Sequence, residues 1–333
     1  MSALDYLSSR ILTHYRAIKE EFAPPRMMIL YPTYACNGRC GYCEYKEDIG
    51  TYTMPWEMLE EVIRDAAAFG VESVELCGGG EPTMHPDFLL LCQLIVNSGM
   101  KLGVLTNGWG LAHTEDVAPF LAANASYVRV SLDAASHSTY KKVKGIDTFS
   151  IITEAIRWLT AMKADSCKIS AKFLLTPDNY TEVVSMARLA RGLGLDSAQF
   201  KEVRSTQGLS HQQHEIAKGL LELARSEVQG IRIIGDLSHP TMKEKCRLCK
   251  LHTIVDADGS VYLCCYFRHR KDSHCIGNVY EGPLPYIWGG LRHREAMENI
   301  VPEECNLFDC RFVEYHRIVD ELIWKGAGQF EFL

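Results

Sequence analysis

The sequence has no apolar run approaching the roughly 20 residues that a membrane-spanning helix needs, no repeat of solenoid period and no low-complexity tract. It also has no basic excess: 35 Lys and Arg stand against 42 Asp and Glu, a formal charge of -7. A chain so charged has little with which to neutralise a phosphate backbone, which argues against nucleic acid as a partner. The opening stretch MSALDYLSSRILTHYRAIKEEF lacks the long apolar core of a signal peptide. Its Leu, Ile and Tyr residues instead recur at helical spacing among charges. The expectation is a cytoplasmic protein. What the sequence does have is bulk and sulfur: 333 residues, 47% of them hydrophobic, and 13 cysteines. The length allows a large core, and so many thiols in a reducing compartment point to metal or redox chemistry rather than disulfides.

From residue 27 to about 202 short β-rich runs alternate with longer amphipathic stretches. The runs are 27–33, 73–76, 101–106, 127–132, 168–175 and 197–202, and helical patterns occupy 55–69, 86–98, 115–123, 149–162 and 180–193. Such alternation predicts βαβ units around a parallel sheet. Six units are too few for the eight-stranded barrel, so the expected fold is α/β, a partial (βα)6 barrel. In such folds ligands gather at the carboxyl ends of the strands. There the sequence places CNGRCGYC after the first strand, GGGEP after the second, TNG after the third, and Ser131 and Asp133 at the end of the fourth. From about 240 the chain becomes loop-rich and cysteine-rich. TIVDADGSVYLC reads as a β-hairpin turning at Asp258-Gly259, and VEYHRIVDELIW as a terminal helix. The expected divisions are a helix over 1–26, the barrel over 27–235 and a small cysteine-rich module over 236–333.

Cys36, Cys40 and Cys43 have the spacing CxxxCxxC in a loop directly after a strand. For this cysteine content, chance yields such a spacing roughly 0.02 times. Thiolates suit zinc or iron-sulfur clusters. A structural zinc usually has four protein ligands, so three thiols without a fourth nearby point to a cluster with one iron left for an exogenous ligand. Zinc remains the alternative. CNGRCGYC resembles the cluster loop of the radical S-adenosylmethionine superfamily, and the resemblance extends to Gly78, Gly79, Gly80, Glu81 and Pro82 as its GGEP element. It implies a 4Fe-4S cluster on the three cysteines, S-adenosylmethionine on the open iron, Tyr42 near the adenine, the glycines and Glu81 along the methionine end, and Ser131 and Asp133 near the ribose. For the last two, helix capping is the alternative.

Seven cysteines lie between 246 and 310. Cys246 and Cys249 form CxxC, and the hairpin returns Cys264 towards them. This arrangement, with GNVYEGPLPYIW, resembles the SPASM and twitch modules, although only Cys305 and Cys310 remain of the later cysteine run. The resemblance implies one auxiliary 4Fe-4S cluster on Cys246, Cys249, Cys264 and Cys310, with Cys305 as the replacement ligand and zinc as the alternative metal. Cys265 and Cys275 are left over, either small buried residues or a hydrogen-atom donor to a substrate radical.

The family resemblance implies a flavodoxin- or ferredoxin-type electron donor, reductive cleavage of S-adenosylmethionine and hydrogen abstraction by a 5'-deoxyadenosyl radical, ending in oxidation or epimerisation. Peptide-modifying relatives often carry an extra N-terminal peptide-binding domain, and the segment before the first strand has room only for a helix. The expected substrate is therefore a small polar metabolite such as a sugar, aminocyclitol or nucleoside, with a peptide as the alternative. Lys172, Lys201 and Arg204 lie on or after late strands as candidate substrate contacts, and Arg268 and Arg270 as candidate contacts to an anionic group. A non-catalytic iron-sulfur carrier would need no GGGEP element.

Overall fold

The computed structural model describes residues 14, 17, 18, 20, 22–203, 208–235, 237, 241, 244–264, 266–268, 270–305, 316 and 319. Most residues of the expected helices over 1–26 and 313–324 therefore lie outside the described ones; Ala17, Ile18, His316 and Val319 are helical, and 22–26 are not.

Seven parallel strands follow one another in space as in sequence: β1 (Met27–Leu30), β2 (Ser73–Leu76), β3 (Lys101–Thr106), β4 (Tyr127–Ser131), β5 (Lys168–Leu175), β6 (Ser197–Glu202) and β7 (Arg232–Ile234). The crossovers are α1 (Trp56–Phe69), α2 (Phe88–Asn97), α3 (Trp109–His113), α4 (Val117–Asn124), α5 (His137–Lys144), α6 (Phe149–Met162), α7 (Val183–Gly192) and α8 (His211–Glu227). Helix α1 shows why these segments fold: it buries Leu59, Val62, Ile63 and Ala66, one stripe at helical spacing. It stops at Gly70, whose φ of 97° suits glycine.

Three more strands extend the sheet beyond β1: β8 (His252–Val255), β9 (Ser260–Tyr262) and β10 (Cys275–Asn278), in the order β10-β9-β8-β1 and on to β7. The hairpin read from the sequence is β8–β9, with Gly259 at φ 83° in its turn. The sequence did not reveal where it docks: β8 pairs in parallel with β1, Met27 opposite His252 and Leu30 opposite Val255. The cysteine-rich module is thus an extension of the barrel sheet, and the sheet stays open between β7 and β10.

Strand alternation sorts residues onto two faces. One face, with Met28, Leu30, Val74, Leu76, Val104, Val128, Val130, Ala171, Phe173, Ala198 and Phe200, is buried beneath the helices. Truncating Phe173 to alanine there costs about 3–5 kcal/mol. The inner face is mixed. On the β1 side Ile29, Tyr31, Ile254, Tyr262 and Phe267 form a second apolar cluster, whereas Arg129, Ser131, Lys172, Gln199 and Lys201 on β4 to β6 are only half-buried. No helix among the described residues is long and apolar enough to cross a membrane.

Candidate functional site

The carboxyl ends of β1, β2 and β3 are locked together by Glu81. Its fully buried carboxylate accepts from the Thr83 amide at 3.2 Å and hydroxyl at 2.7 Å, the Thr106 hydroxyl at 2.5 Å and the Asn107 amide at 2.5 Å. Burial pushes this carboxyl up, while the bonds from Asn107, Thr106 and Thr83 hold it down. The backbone amide of Glu81 donates to Ala35 O at 2.8 Å, and that of Gly80 to Thr33 O at 3.2 Å. A Cβ on Gly80 would lie 2.4 Å from Ala35 O, and one on Gly79 would lie 2.1 Å from the Tyr34 ring. These two glycines let the cluster loop sit directly on the β2 turn. Asn107 also donates to Asn37 at 2.8 Å, fixing the loop between its first two cysteines.

Within the loop, a Cβ on Gly38 would lie 3.6 Å from Cys36 Sγ and 3.7 Å from Cys40 Sγ. Cys43 N donates to Cys40 O at 3.1 Å, closing the turn that carries the last thiol. Burial, then Glu81, Cys40 and Cys43, push the Cys36 thiol up to about 11 against the opposing Gly38 amide. Such thiols become ligands when a bound cation offsets the thiolate charge. Among the described residues no three Cys, His, Asp or Glu side chains converge on a single metal ion. Three thiols on one loop match a cluster in which each iron takes one thiolate.

Tyr42, Asp133 and Lys144 form a buried network beside the loop. Asp133 accepts from Tyr42 OH at 2.6 Å, Lys144 Nζ at 2.8 Å and the Leu174 amide at 2.7 Å. Burial disfavours both charges, yet Lys144 holds Asp133 below the usual carboxylate range, and Asp133, Tyr42 and Cys40 hold Lys144 above the usual amine range. Asp133 has φ 55° and its side chain is fully buried. Its carboxylate oxygens accept three internal bonds, so Asp133 organises the site beside the loop; burial was not visible from its strand-end position. Ser131 stays on the half-buried inner face opposite Lys172. Gly145 ends α5 at φ 67°, where a Cβ would lie 2.6 Å from Arg39 O, and Arg39 N donates to Lys144 O at 3.0 Å. Helix α5, absent from the sequence reading, thereby braces the cluster loop.

In the second cysteine group, Cys249 Sγ donates to Cys246 O at 3.3 Å, and the Cys249 contact, then burial, raises the Cys246 thiol. The guanidinium of Arg270, 7% exposed, donates to Cys305 Sγ at 3.5 Å and Cys264 Sγ at 3.7 Å. Burial raises the Cys305 thiol, Arg270 opposes this, and Cys246 adds to it. Cys246 thus adjoins Cys249, Arg270 joins Cys264 to Cys305, and the charge of Cys246 reaches Cys305. Cys310 and Cys265 lie outside the described residues. Cys275 sits apart, against the inner-face aromatic cluster.

Arg268 and Arg270 are both engaged within the protein. Arg268 pairs with Asp48, donates to Glu44 O at 3.1 Å and lies 4.6 Å from the centroid of the Tyr45 ring, while Arg270 serves the thiols. Lys172 and Lys201 do point into the barrel; Arg204 lies outside the described residues. Arg129 was missed, although the alternation of YVRVS places it on the face of Ser131.

Residues 30–190 match the radical SAM superfamily and residues 246–311 the SPASM iron-sulfur cluster-binding domain. A probable GTP 3',8-cyclase of Saccharolobus solfataricus is 29% identical over 174 residues, 51% of this chain and 54% of its own; the chain thus spans about half the length of that relative. The mycofactocin maturase MftC of Mycobacterium ulcerans is 26% identical over 272 residues, 77% of this chain and 72% of its own. SuiB of Streptococcus suis, solved with its precursor peptide SuiA, superposes with a TM-score of 0.66 at 15% identity over 92% of this chain and 74% of its own. The enzyme anSMEcpe with bound AdoMet gives 0.64 at 20% identity over 87% and 88%. Cluster loop, glycine turn, open barrel and thiol-rich extension agree with these matches, and the chain belongs to the radical SAM superfamily, with a C-terminal SPASM module.

Proposed function

We propose that this enzyme modifies a peptide. Its cluster would be held by Cys36, Cys40 and Cys43, its S-adenosylmethionine by Tyr42, Gly78, Gly79, Gly80, Glu81 and Ser131, and its auxiliary cluster by Cys246, Cys249, Cys264 and Cys305 or Cys310. Bound there, these groups supply a 5'-deoxyadenosyl radical able to take hydrogen from an unactivated C–H bond. The chain's own part is to fix the loop through Glu81 and Asn107, exclude water and aim the substrate.

The observation that carries the peptide reading is the similarity to the maturase, which spans both the barrel and the module, whereas that to the cyclase covers about half of each chain. The sheet is not closed between β7 and β10. The expectation of a small metabolite rests on the short segment before β1, and a peptide needs no separate domain if the barrel and module bind it.

The test is S-adenosylmethionine cleavage by reconstituted protein in the presence of source-cell extract divided by dialysis. Stimulation of 5'-deoxyadenosine release by the retained, protease-sensitive fraction is expected; stimulation confined to the metabolite fraction would overturn the peptide reading. Oxidation or epimerisation remain the two outcomes proposed for the radical. In the second, Cys265 or Cys275 returns the hydrogen atom, and a Cys275→Ala variant that forms product normally would remove Cys275 from that role.

A further inference from the structure

The half-buried inner face carries a staircase of positive charge. Arg129 on β4 lies opposite Ser170; Lys172 on β5 lies opposite Ser131, one rung nearer the mouth; Lys201 on β6 lies opposite Leu174, one rung further. Adjacent steps are displaced by one strand spacing, about 4.8 Å, and by two residues, about 6.6 Å. Burial pushes the Lys172 ammonium down, Asp133 opposes this, and Lys201, Arg129 and Lys144 press it further down.

The carboxylates nearby are already committed. Asp133 is held by Lys144 at 2.8 Å. Glu75 takes the hydroxyl of Tyr127, whose ring lies across Gly103 and 5.6 Å from the Arg129 guanidinium carbon. Arg129 Nε donates to Ser170 Oγ at 3.4 Å. Among the described residues no carboxylate stands within ion-pair distance of Lys172 or Arg129. Two half-buried cations with no ion-pair partner among the described residues favour the arrival of an anion between them.

We propose that Arg129 and Lys172, with Lys201 above them, are the specificity site for an anionic group of the substrate. Resting on the peptide reading above, that group is a carboxylate: an acidic side chain or the C-terminus. A guanidinium on the lower step donates to it in bidentate fashion, and the ammonium above adds charge. A phosphate would satisfy the same cations, and so would the carboxylate of S-adenosylmethionine itself, so the experiment separates all three.

Reconstituted holoenzyme and its Arg129→Met and Lys172→Met variants are compared with the retained extract fraction as probe, after iron content confirms each variant is loaded. Each variant should need about tenfold more of the fraction for half-maximal stimulation, the equivalent of one charge-assisted contact. Basal S-adenosylmethionine cleavage and its binding constant should stay unchanged, and Arg129→Lys should restore part of the loss. Amidating the fraction's carboxyl groups should abolish stimulation, and phosphatase should leave it intact.

Protease-sensitive stimulation that ignores both amidation and the substitutions would overturn this inference while sparing the peptide reading. Protease-resistant, phosphatase-sensitive stimulation that still depends on Arg129 and Lys172 would overturn the peptide reading while keeping the anion site. Weakened binding of S-adenosylmethionine in the variants would assign the cations to the cofactor and overturn the proposal.

Discussion

Tyr34 and Asp256 stand 222 residues apart and share a buried hydrogen bond, the phenol donating to the carboxylate oxygens at 2.6 and 2.7 Å. Tyr34 begins the cluster loop and Asp256 begins the β8–β9 turn, so this bond joins the radical site to the auxiliary module. Burial, then the charge of Asp256, pushes the phenol far above its usual range, so it stays a donor. Parallel pairing of β1 with β8 supports the same junction. Loop and module therefore form one continuous unit.

Tyr34→Phe keeps the ring against Gly79 but leaves the carboxylate short of its donor. The expected loss is about 1–3 kcal/mol, seen as a lower denaturant midpoint, with faster loss of iron from both clusters on exposure to chelator. An unchanged midpoint would mean that the strand pairing alone holds the two parts together.

Asp133 and Lys144 are 0% and 4% exposed at their side chains. Lys144→Met should destabilise by about 3–5 kcal/mol, because it strands a buried carboxylate, and adding Asp133→Asn should recover much of the loss. Urea denaturation of the two single variants and the double variant measures the coupling. Additive losses would contradict the pairing.

Changing Cys36, Cys40 and Cys43 together to alanine should lower iron from about eight atoms per chain to about four. Cys305→Ala should remove or destabilise the auxiliary cluster if the thiol beside Arg270 is its ligand. The same loss from Cys310→Ala alone would return the fourth position to Cys310.

Arg270 places positive charge against Cys264 and Cys305, and hydrogen bonds to cluster sulfurs favour the reduced state. Arg270→Gln should shift the auxiliary midpoint potential to a more negative value with iron content retained, and Arg270→Lys should shift it less. A redox titration followed by EPR reads this directly. An unmoved potential would leave Arg270 with only a packing role.

Much of this is legible in the sequence. Strands β2, β3, β5 and β6 and helix α6 fall where the residue pattern puts them, because alternation and helical stripes record which face is buried. The cysteine spacing and GGGEP were visible for the same local reason. Three things were not. Helix α5, HSTYKKVK, is too polar to announce itself and is stabilised by its cap at Ser136 and its packing on the cluster loop. The docking of β8 on β1 is a long-range pairing without a local signal. Asp133 at a strand end could have been a cap or a ligand; only the convergence of Tyr42, Lys144 and Leu174 decides.

His293 offers a probe of the module without disturbing any thiol. Its fully buried ring accepts from the Gly289 amide through Nδ1 at 2.8 Å and packs 4.2 Å from the Trp288 ring and 5.5 Å from Phe22, centroid to centroid. Burial, then the charge of Arg294, pushes the imidazole down from 6.5 to about 4. The folded protein therefore holds it neutral while the unfolded chain protonates it near its ordinary value. That stability, about 3 kcal/mol in all, is fully present above pH 6.5 and is lost as the pH falls from 6.5 towards 4. His293→Phe should lower stability at neutral pH, because the Gly289 amide loses its acceptor, and should flatten the decline between these limits. Thermal melts of both proteins across that range measure the difference. Parallel declines would show that the imidazole is already charged in the fold, and that Nδ1 is not the acceptor of the Gly289 amide.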